Sequence, residues 1–198
     1  MSKQKKIVVV DYGKGNLWSV LSALDFLGAS PNISSNPKDI VKADAIILPG
    51  VGSFRLAMQT LTNKNLDEAI KEAVEIKQRK ILGICLGFQM LADSSTEDGM
   101  TAGLGFIPAP VESFDAQELR GKKLPHIGFN RVRLPNSSSL FHGFKTEEDF
   151  YFVHSYRLLS QVLPGVNAIC NYGVDFLAAY EHENVFGAQF HPEKSQTN

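Results

Sequence analysis

The stretch Gly83-Ile84-Cys85-Leu86-Gly87 constrains this chain more than any other. It follows the apolar pair Ile81-Leu82 and precedes Phe88-Gln89-Met90-Leu91-Ala92, which reads as the start of a helix. A cysteine between two glycines at a strand-to-helix turn is a thiol form of the nucleophile elbow. The turn is tight, and a Cβ at either glycine would crowd it. Such a turn lifts the sulfur out at the end of the strand and aims the backbone N–H of Leu86 at a developing oxyanion. A chain built this way can form a thioester with its substrate.

The flanking sequence supplies the sheet that such an elbow needs. Lys6 to Val10 is a continuous apolar strand, the kind buried on both faces of a parallel sheet. Asn16 caps a helix whose Leu17, Val20, Leu21, Leu24 and Leu27 keep helical spacing, and Gly28 stops it. Short strands follow at Asn32 to Ser35 and Ala45 to Leu48. A helical region runs from about Phe54 to Gln78, broken near Thr62-Asn63-Lys64-Asn65, and Lys80 to Ile84 feeds the elbow. This alternation predicts an α/β, doubly wound, mainly parallel sheet with right-handed crossovers. From Leu104 onward the chain is strand-rich, with turns at Asn171-Tyr172-Gly173 and His182-Glu183-Asn184, so antiparallel strands are expected on one side of the parallel core. Active sites in such sheets lie outside the carboxyl ends of the strands, where the elbow falls.

With 198 residues, 43% of them hydrophobic, and no repeat or linker, residues 1–198 read as a single domain with a full core. A net charge of −1 gives no reason to expect nucleic acid or an anionic membrane as partner. No apolar run approaches the ~20 residues of a membrane span. Lys3, Lys5 and Lys6 precede an apolar run too short for a secretion signal. Without one, Cys85 and Cys170 are expected as reduced thiols in a cytoplasmic setting. Cys170, within the alternating Val166-Asn167-Ala168-Ile169-Cys170, reads as a buried strand residue.

A cysteine nucleophile needs a base, and His191 is the leading candidate among five histidines. It ends the apolar run Val185-Phe186-Gly187-Ala188-Gln189-Phe190, and Pro192 holds it extended. Residues two apart in an extended segment share a side, so Glu193 can sit beside the imidazole and stabilise its charged form. Cys85, His191 and Glu193 are thus a candidate nucleophile, base and orienter. His142 and His182 lie in polar turns and read as solvated. His126 reads as structural or site-lining, and His154 ends an apolar strand that can face the cleft. A second oxyanion donor can come from Pro49-Gly50-Val51-Gly52, where Gly50 and Gly52 let the backbone approach a ligand. An ordinary strand-to-helix turn fits that segment equally. Asp11-Tyr12-Gly13-Lys14-Gly15-Asn16 lacks the spacing of a nucleotide loop, no cluster has metal-ligand spacing, and nothing calls for a cofactor.

Gly83-Ile84-Cys85-Leu86-Gly87-Phe88-Gln89, with Phe190-His191-Pro192-Glu193 near the end, resembles the class I (triad) glutamine amidotransferases over the whole chain. Within that family, four further segments resemble the glutaminase subunits that serve histidine biosynthesis. These are Asp11 to Leu17, Leu48 to Gly52, Leu124 to Asn130 and Tyr151 to Tyr156. The resemblance implies that L-glutamine is hydrolysed on Cys85, with His191 and Glu193 as partners and Gly50, Val51, Gly52 and Leu86 around the oxyanion. It further implies glutamine contacts from Gln89, His154, Ser155 and Tyr156. It implies a heterodimer in which ammonia passes to a (β/α)₈-barrel cyclase subunit, with Asn16, Phe129 and Lys194 on the shared face, and no cofactor. Phe129 stands where these subunits usually carry Trp. Relatives with Gly-Phe-Asn include glutaminases that supply ammonia for amidino groups of surface sugars, so that acceptor is the alternative. A non-catalytic binding module is the alternative of another class. The family normally continues with a Gly-Leu-rich final helix, absent from this sequence, so apolar surface near the elbow and first strand is expected to be less covered.

Overall fold

The computed structural model describes residues 5–159 and 162–195. Its main sheet has nine strands. The amino-terminal strands are β1 (Ile7–Val10), β2 (Asn32–Ser34), β3 (Ala45–Gly50) and β4 (Lys80–Cys85). Between them lie α1 (Leu17–Phe26), α2 (Pro37–Val41), α3 (Phe54–Asn63) and α4 (Leu66–Lys71), the last running into a π-helical turn at Glu72–Ile76. After the elbow come α5 (Leu86–Met90), β5 (Ala92–Ser95), β6 (Thr101–Ala102) and β7 (Ile107–Ser113). The remaining strands are β8 (His126–Arg133), β9 (Glu147–His154), β10 (Tyr156–Leu158), β11 (Val166–Tyr172), β12 (Val174–His182) and β13 (Val185–Ala188). The order of the main sheet is β2-β1-β3-β4-β13-β12-β11-β8-β9, and a smaller sheet has the order β10-β7-β5-β6.

Strand β13 joins the two halves. It pairs parallel with β4 on one side and antiparallel with β12 on the other. The expected mixed sheet is thereby formed. Burial on both faces explains the continuous apolar strands. Val8, Val10, Ile46 and Leu48 pack in one cluster with Ile40, Phe54 and Ile70, while Val9 and Ile47 pack on the opposite face with Val20 of α1. The antiparallel half has its own aromatic core, in which Phe150 and Phe190 stack at 4.1 Å.

Cap chemistry sets the helix ends. Asn16 accepts from the Ser19 N–H at the start of α1, Ser53 caps α3, and Gly28, at φ 75°, follows the end of α1. On the α1 side, Ile7, Leu17, Leu21, Leu24 and Leu82 are only partly buried, and Trp18, Phe26 and Leu27 are exposed. Leu27, read as part of the apolar stripe, therefore faces outward. No helix among the described residues is long and apolar enough to cross a membrane.

The sequence reading differs from the fold in several places, among them Pro192–Lys194, a short 3₁₀ helix where an extended segment was expected. Pro37–Val41 forms a single helical turn, capped by Asn36 with Pro37 at its first position. The helix after the elbow stops at Met90, and Ala92–Ser95 turns into the smaller sheet. There the Leu91 carbonyl accepts from the Phe106 and Ile107 N–H groups, and Asp93-Ser94-Ser95 has weak helix propensity.

Candidate active site

Three parallel strands end side by side. Gly50 of β3 lies in register with Cys85 of β4, and Ile84 with Ala188 of β13. The chain leaving β13 therefore carries Gln189, Phe190 and His191 past the elbow. Cys85 has φ 54° and ψ −110°, a strained backbone for a residue with a Cβ. The glycines around it are required by space. A Cβ at Gly87 would overlap the Leu48 carbonyl oxygen, and one at Gly83 would stand 2.7 Å from Phe88 Cα. At Gly187, the missing side chain leaves the room that the Phe88 ring fills.

His191 is fixed by its backbone before its side chain acts. Its N–H donates to the Tyr151 carbonyl at 2.9 Å. Its own carbonyl accepts from the Ser195 hydroxyl at 2.7 Å, and that hydroxyl accepts from the Tyr151 N–H at 3.1 Å. The imidazole Nδ1 meets Glu193 Oε1 at 2.8 Å, and both side chains are almost fully buried. Nε2 is buried with no hydrogen-bond partner, and the ring lies close enough to Cys85 to interact with it. Burial alone would depress the imidazole pKa. The interactions with Cys85 and Glu193 outweigh it and raise the pKa to about 9. The ring is then a cation at neutral pH, suited to hold a thiolate and to protonate a leaving amine.

This shift has a sign that can be tested. A histidine whose folded pKa lies above its unfolded value contributes stability that is complete below about pH 6.5 and is lost as pH rises through about 9. Glu193→Gln weakens that contribution by on the order of 1–3 kcal/mol. The gap in unfolding midpoint between the parent and Glu193→Gln proteins should therefore narrow across this window. A gap that stays constant contradicts the assignment.

The turn after β3 lies against the elbow. Gly50 is buried at the strand end, Val51 is half-exposed, and Gly52 has φ 102°. A Cβ at Gly50 would collide with the Tyr12 hydroxyl and approach Leu86 Cβ at 3.0 Å. The loop from Asp11 to Asn16, set aside as a nucleotide site, packs here instead, with Gly15 beside Gly50. The Tyr12 hydroxyl is buried and unpartnered, and burial and Cys85 both raise its pKa, so it stays protonated. Beyond the turn, Glu97 accepts from the Phe54 N–H at 2.8 Å and Asp98 from the Ser53 hydroxyl at 3.0 Å. These two carboxylates tie the start of α3 to the loop after β5.

The segment from His154 to Tyr156 borders the same site. The Tyr156 carbonyl accepts from Gln89 Nε2 and from His154 Nδ1, each at 2.8 Å. His154 Nε2 meets His126 Nδ1 at 2.9 Å. Both nitrogens of His154 are thus engaged, and its ring turns inward, supporting the segment instead of facing the cleft. His126 is buried and stacks between Phe152 and Tyr172. Burial, then the nearby His154 and Lys122, depress its pKa to about 3, so it is neutral and structural. Cys170 is a buried free thiol, pushed by burial up to about 12.

Asn16, Phe129 and Lys194 are all exposed. Phe129 packs edge-on against Tyr151, its partner in register on β9, with their ring centres 5.6 Å apart. Ile127 lies two residues away on the same outward face and is also exposed. The sequence reading missed Gln189, Ser195 and Glu97. Gln189 had left a signal, an amide inside an otherwise apolar run, whereas the other two act through hydrogen bonds that have no periodicity.

Comparison with known proteins gives the family. Residues 8–198 match the family model described as glutamine amidotransferase class-I. A protein of Bacillus subtilis (strain 168) named imidazole glycerol phosphate synthase subunit HisH is 45% identical, over 96% of this chain and 90% of its own. A HisH subunit of Methanosarcina acetivorans is 46% identical, over 98% of this chain and 93% of its own. In fold, the chain is similar to a glutamine amidotransferase of Thermotoga maritima, with a TM-score of 0.68, 17% identity, and coverage of 96% of this chain and 77% of that one. The chain belongs to the class I glutamine amidotransferase family, within its group of imidazole glycerol phosphate synthase HisH subunits.

Proposed function

We propose that this protein is the glutaminase of a two-subunit imidazole glycerol phosphate synthase, hydrolysing L-glutamine to glutamate and ammonia for histidine biosynthesis in the cytoplasm. The observation that carries the chemistry is the Cys85, His191 and Glu193 constellation, with a strained nucleophile and a buried imidazole oriented by a carboxylate. The Cys85 thiolate attacks the side-chain carbonyl carbon of glutamine. His191 gives its proton to the departing nitrogen, ammonia leaves, and a glutamyl thioester remains. His191, now neutral, takes a proton from water, the hydroxide adds to the thioester, and glutamate departs as the thiolate reforms. Glu193 keeps the ring in one tautomer and balances its charge.

The oxyanion formed at each stage takes donors from Leu86 and from the turn at Gly50, Val51 and Gly52. Gln89 and the backbone of Ser155 and Tyr156 border the substrate, with His154 bracing that segment from behind. The turn, with Gly52 at φ 102°, gives a physical route to regulation, since it can hold an N–H away from the oxyanion until the partner is occupied. Asn16, Phe129 and Lys194 form the face for the (β/α)₈ cyclase subunit. Phe129, Tyr151 and Ile127 give this face an apolar centre, and Arg131, paired with Glu147 and Asp149, gives it a charged edge.

The test is glutamine hydrolysis by the purified chain with and without its cyclase partner. Hydrolysis should rise on adding the partner loaded with its nucleotide ligand, and Phe129→Glu should weaken association by at least about tenfold. Hydrolysis as fast alone as in the complex would remove the gating role of the turn, and none in either state would remove the function.

A further inference from the structure

We propose that Gln189 is a further residue of the catalytic site, whose side-chain N–H binds the anionic sulfur of Cys85 while its side-chain carbonyl fixes Gln89. The proposal rests on the reading of Cys85 as nucleophile. Gln189 is fully buried, an uncharged amide between Ala188 and Phe190. Its backbone N–H still pairs with the Ala178 carbonyl at 2.8 Å, so it continues the ladder beyond β13. It lies two residues before His191, and both side chains reach Cys85.

The orientation of its amide follows from a chain of hydrogen bonds with one solution. The Tyr156 carbonyl can only accept, so Gln89 must present its NH₂ there, at 2.8 Å. The same Gln89 nitrogen lies 2.9 Å from the Gln189 side chain, which must therefore offer its oxygen. The Gln189 nitrogen is left facing Cys85 Sγ at 3.8 Å. Turning either amide over would set a donor against a donor or an acceptor against an acceptor.

A buried N–H held on sulfur favours the thiolate, because an anionic acceptor bonds more strongly than a thiol. It acts from a different side of the chemistry than His191. The imidazole must move protons, whereas the amide cannot and stays a donor throughout. When the thioester is hydrolysed, sulfur leaves again as thiolate and meets the same donor. The bond from Gln189 to Gln89 also couples the nucleophile to the residue bordering the substrate.

The test uses the full chain and iodoacetamide, with no glutamine present. The alkylated peptide, read by mass spectrometry, separates Cys85 from Cys170, which is fully buried with its thiol pushed up by burial. Two variants are compared with the parent after circular dichroism and thermal unfolding. Gln189→Met keeps the length and removes the donor, and Gln189→Glu replaces the donor by an acceptor. Alkylation near pH 7 should slow about tenfold in Gln189→Met and at least as much in Gln189→Glu, while rates near pH 10, above the ordinary range of a free cysteine, agree within about twofold. Equal slowing at both pH values, or rates near pH 7 within about twofold of the parent, would overturn the proposal. Should Gln189→Glu not fold, Gln189→Met alone decides it. Glutamine hydrolysis by the parent with its cyclase partner is scored separately, so loss of the glutaminase reading is distinguishable from loss of this one.

Discussion

Replacing Cys85 by alanine is expected to lower glutamine hydrolysis by about four to six orders of magnitude and to leave the fold and cyclase binding intact. The size follows from the covalent mechanism. Without sulfur there is no thioester, and His191 and the oxyanion donors are left to act on water directly. The fold survives because the thiol is small and sits at the edge of the cluster formed by Val9, Val20, Ile47 and Ile84. Its removal should cost no more than about 1–2 kcal/mol. On the proposed interface, cyclase binding survives because Phe129 and Tyr151 stay on the outer face. Steady-state ammonia release, with partner binding measured by calorimetry, checks both halves. Retained hydrolysis would place the chemistry elsewhere.

The second large effect is structural. Gly87→Ala should destabilise the protein by about 4 kcal/mol or more, a large share of the roughly 5–15 kcal/mol available to a domain. The new Cβ would overlap the Leu48 carbonyl oxygen, and that oxygen and the Cα bearing the Cβ belong to backbone held in place by β3 and α5. A flexible side chain could move aside, but here the helix must separate from the strand, which also displaces Cys85 from the turn at Gly50. Gly28→Ala is the matching control. That residue has φ 75° and open space around it, so it should lose only about 1–2 kcal/mol for the left-handed backbone. Thermal unfolding of the two variants checks the contrast. Equal midpoints would mean that the elbow tolerates expansion and that the close approach of β3 is not a constraint.

Much of this architecture is legible in the sequence because its signals are local. The apolar runs of β1, β3 and β4 announce strands buried on both faces, and Asn16 and Gly28 bracket α1. Cys85 between glycines, and His191 before Pro192-Glu193, carry their backbone constraints with them. The smaller sheet was not legible, since Ala92–Ser95 is short and mostly polar and owes its extended form to pairing with β7. His154 was expected near the cleft because it ends an apolar strand. Its direction depends on His126 across the β8–β9 ladder, which no spacing reveals. Gln189 and Ser195 belong to the same class. Their importance lies in which atom they meet on a distant strand, and only the assembled sheet specifies that.

The central step is a covalent glutamyl intermediate at Cys85, and trapping it is the most direct measurement. His191→Asn should still position the sulfur; it slows thioester formation, since ammonia must take its proton from solvent, and slows hydrolysis more, since no base is left to activate water. The complex with the cyclase subunit is incubated with glutamine, quenched in acid and digested, and its peptides are analysed by mass spectrometry. The predicted result is a glutamyl increment on the peptide containing Cys85, absent in Cys85→Ala. Glutamine turnover by the parent complex with no increment at Cys85 in the trapped variant, or with the increment on another residue, would contradict the account.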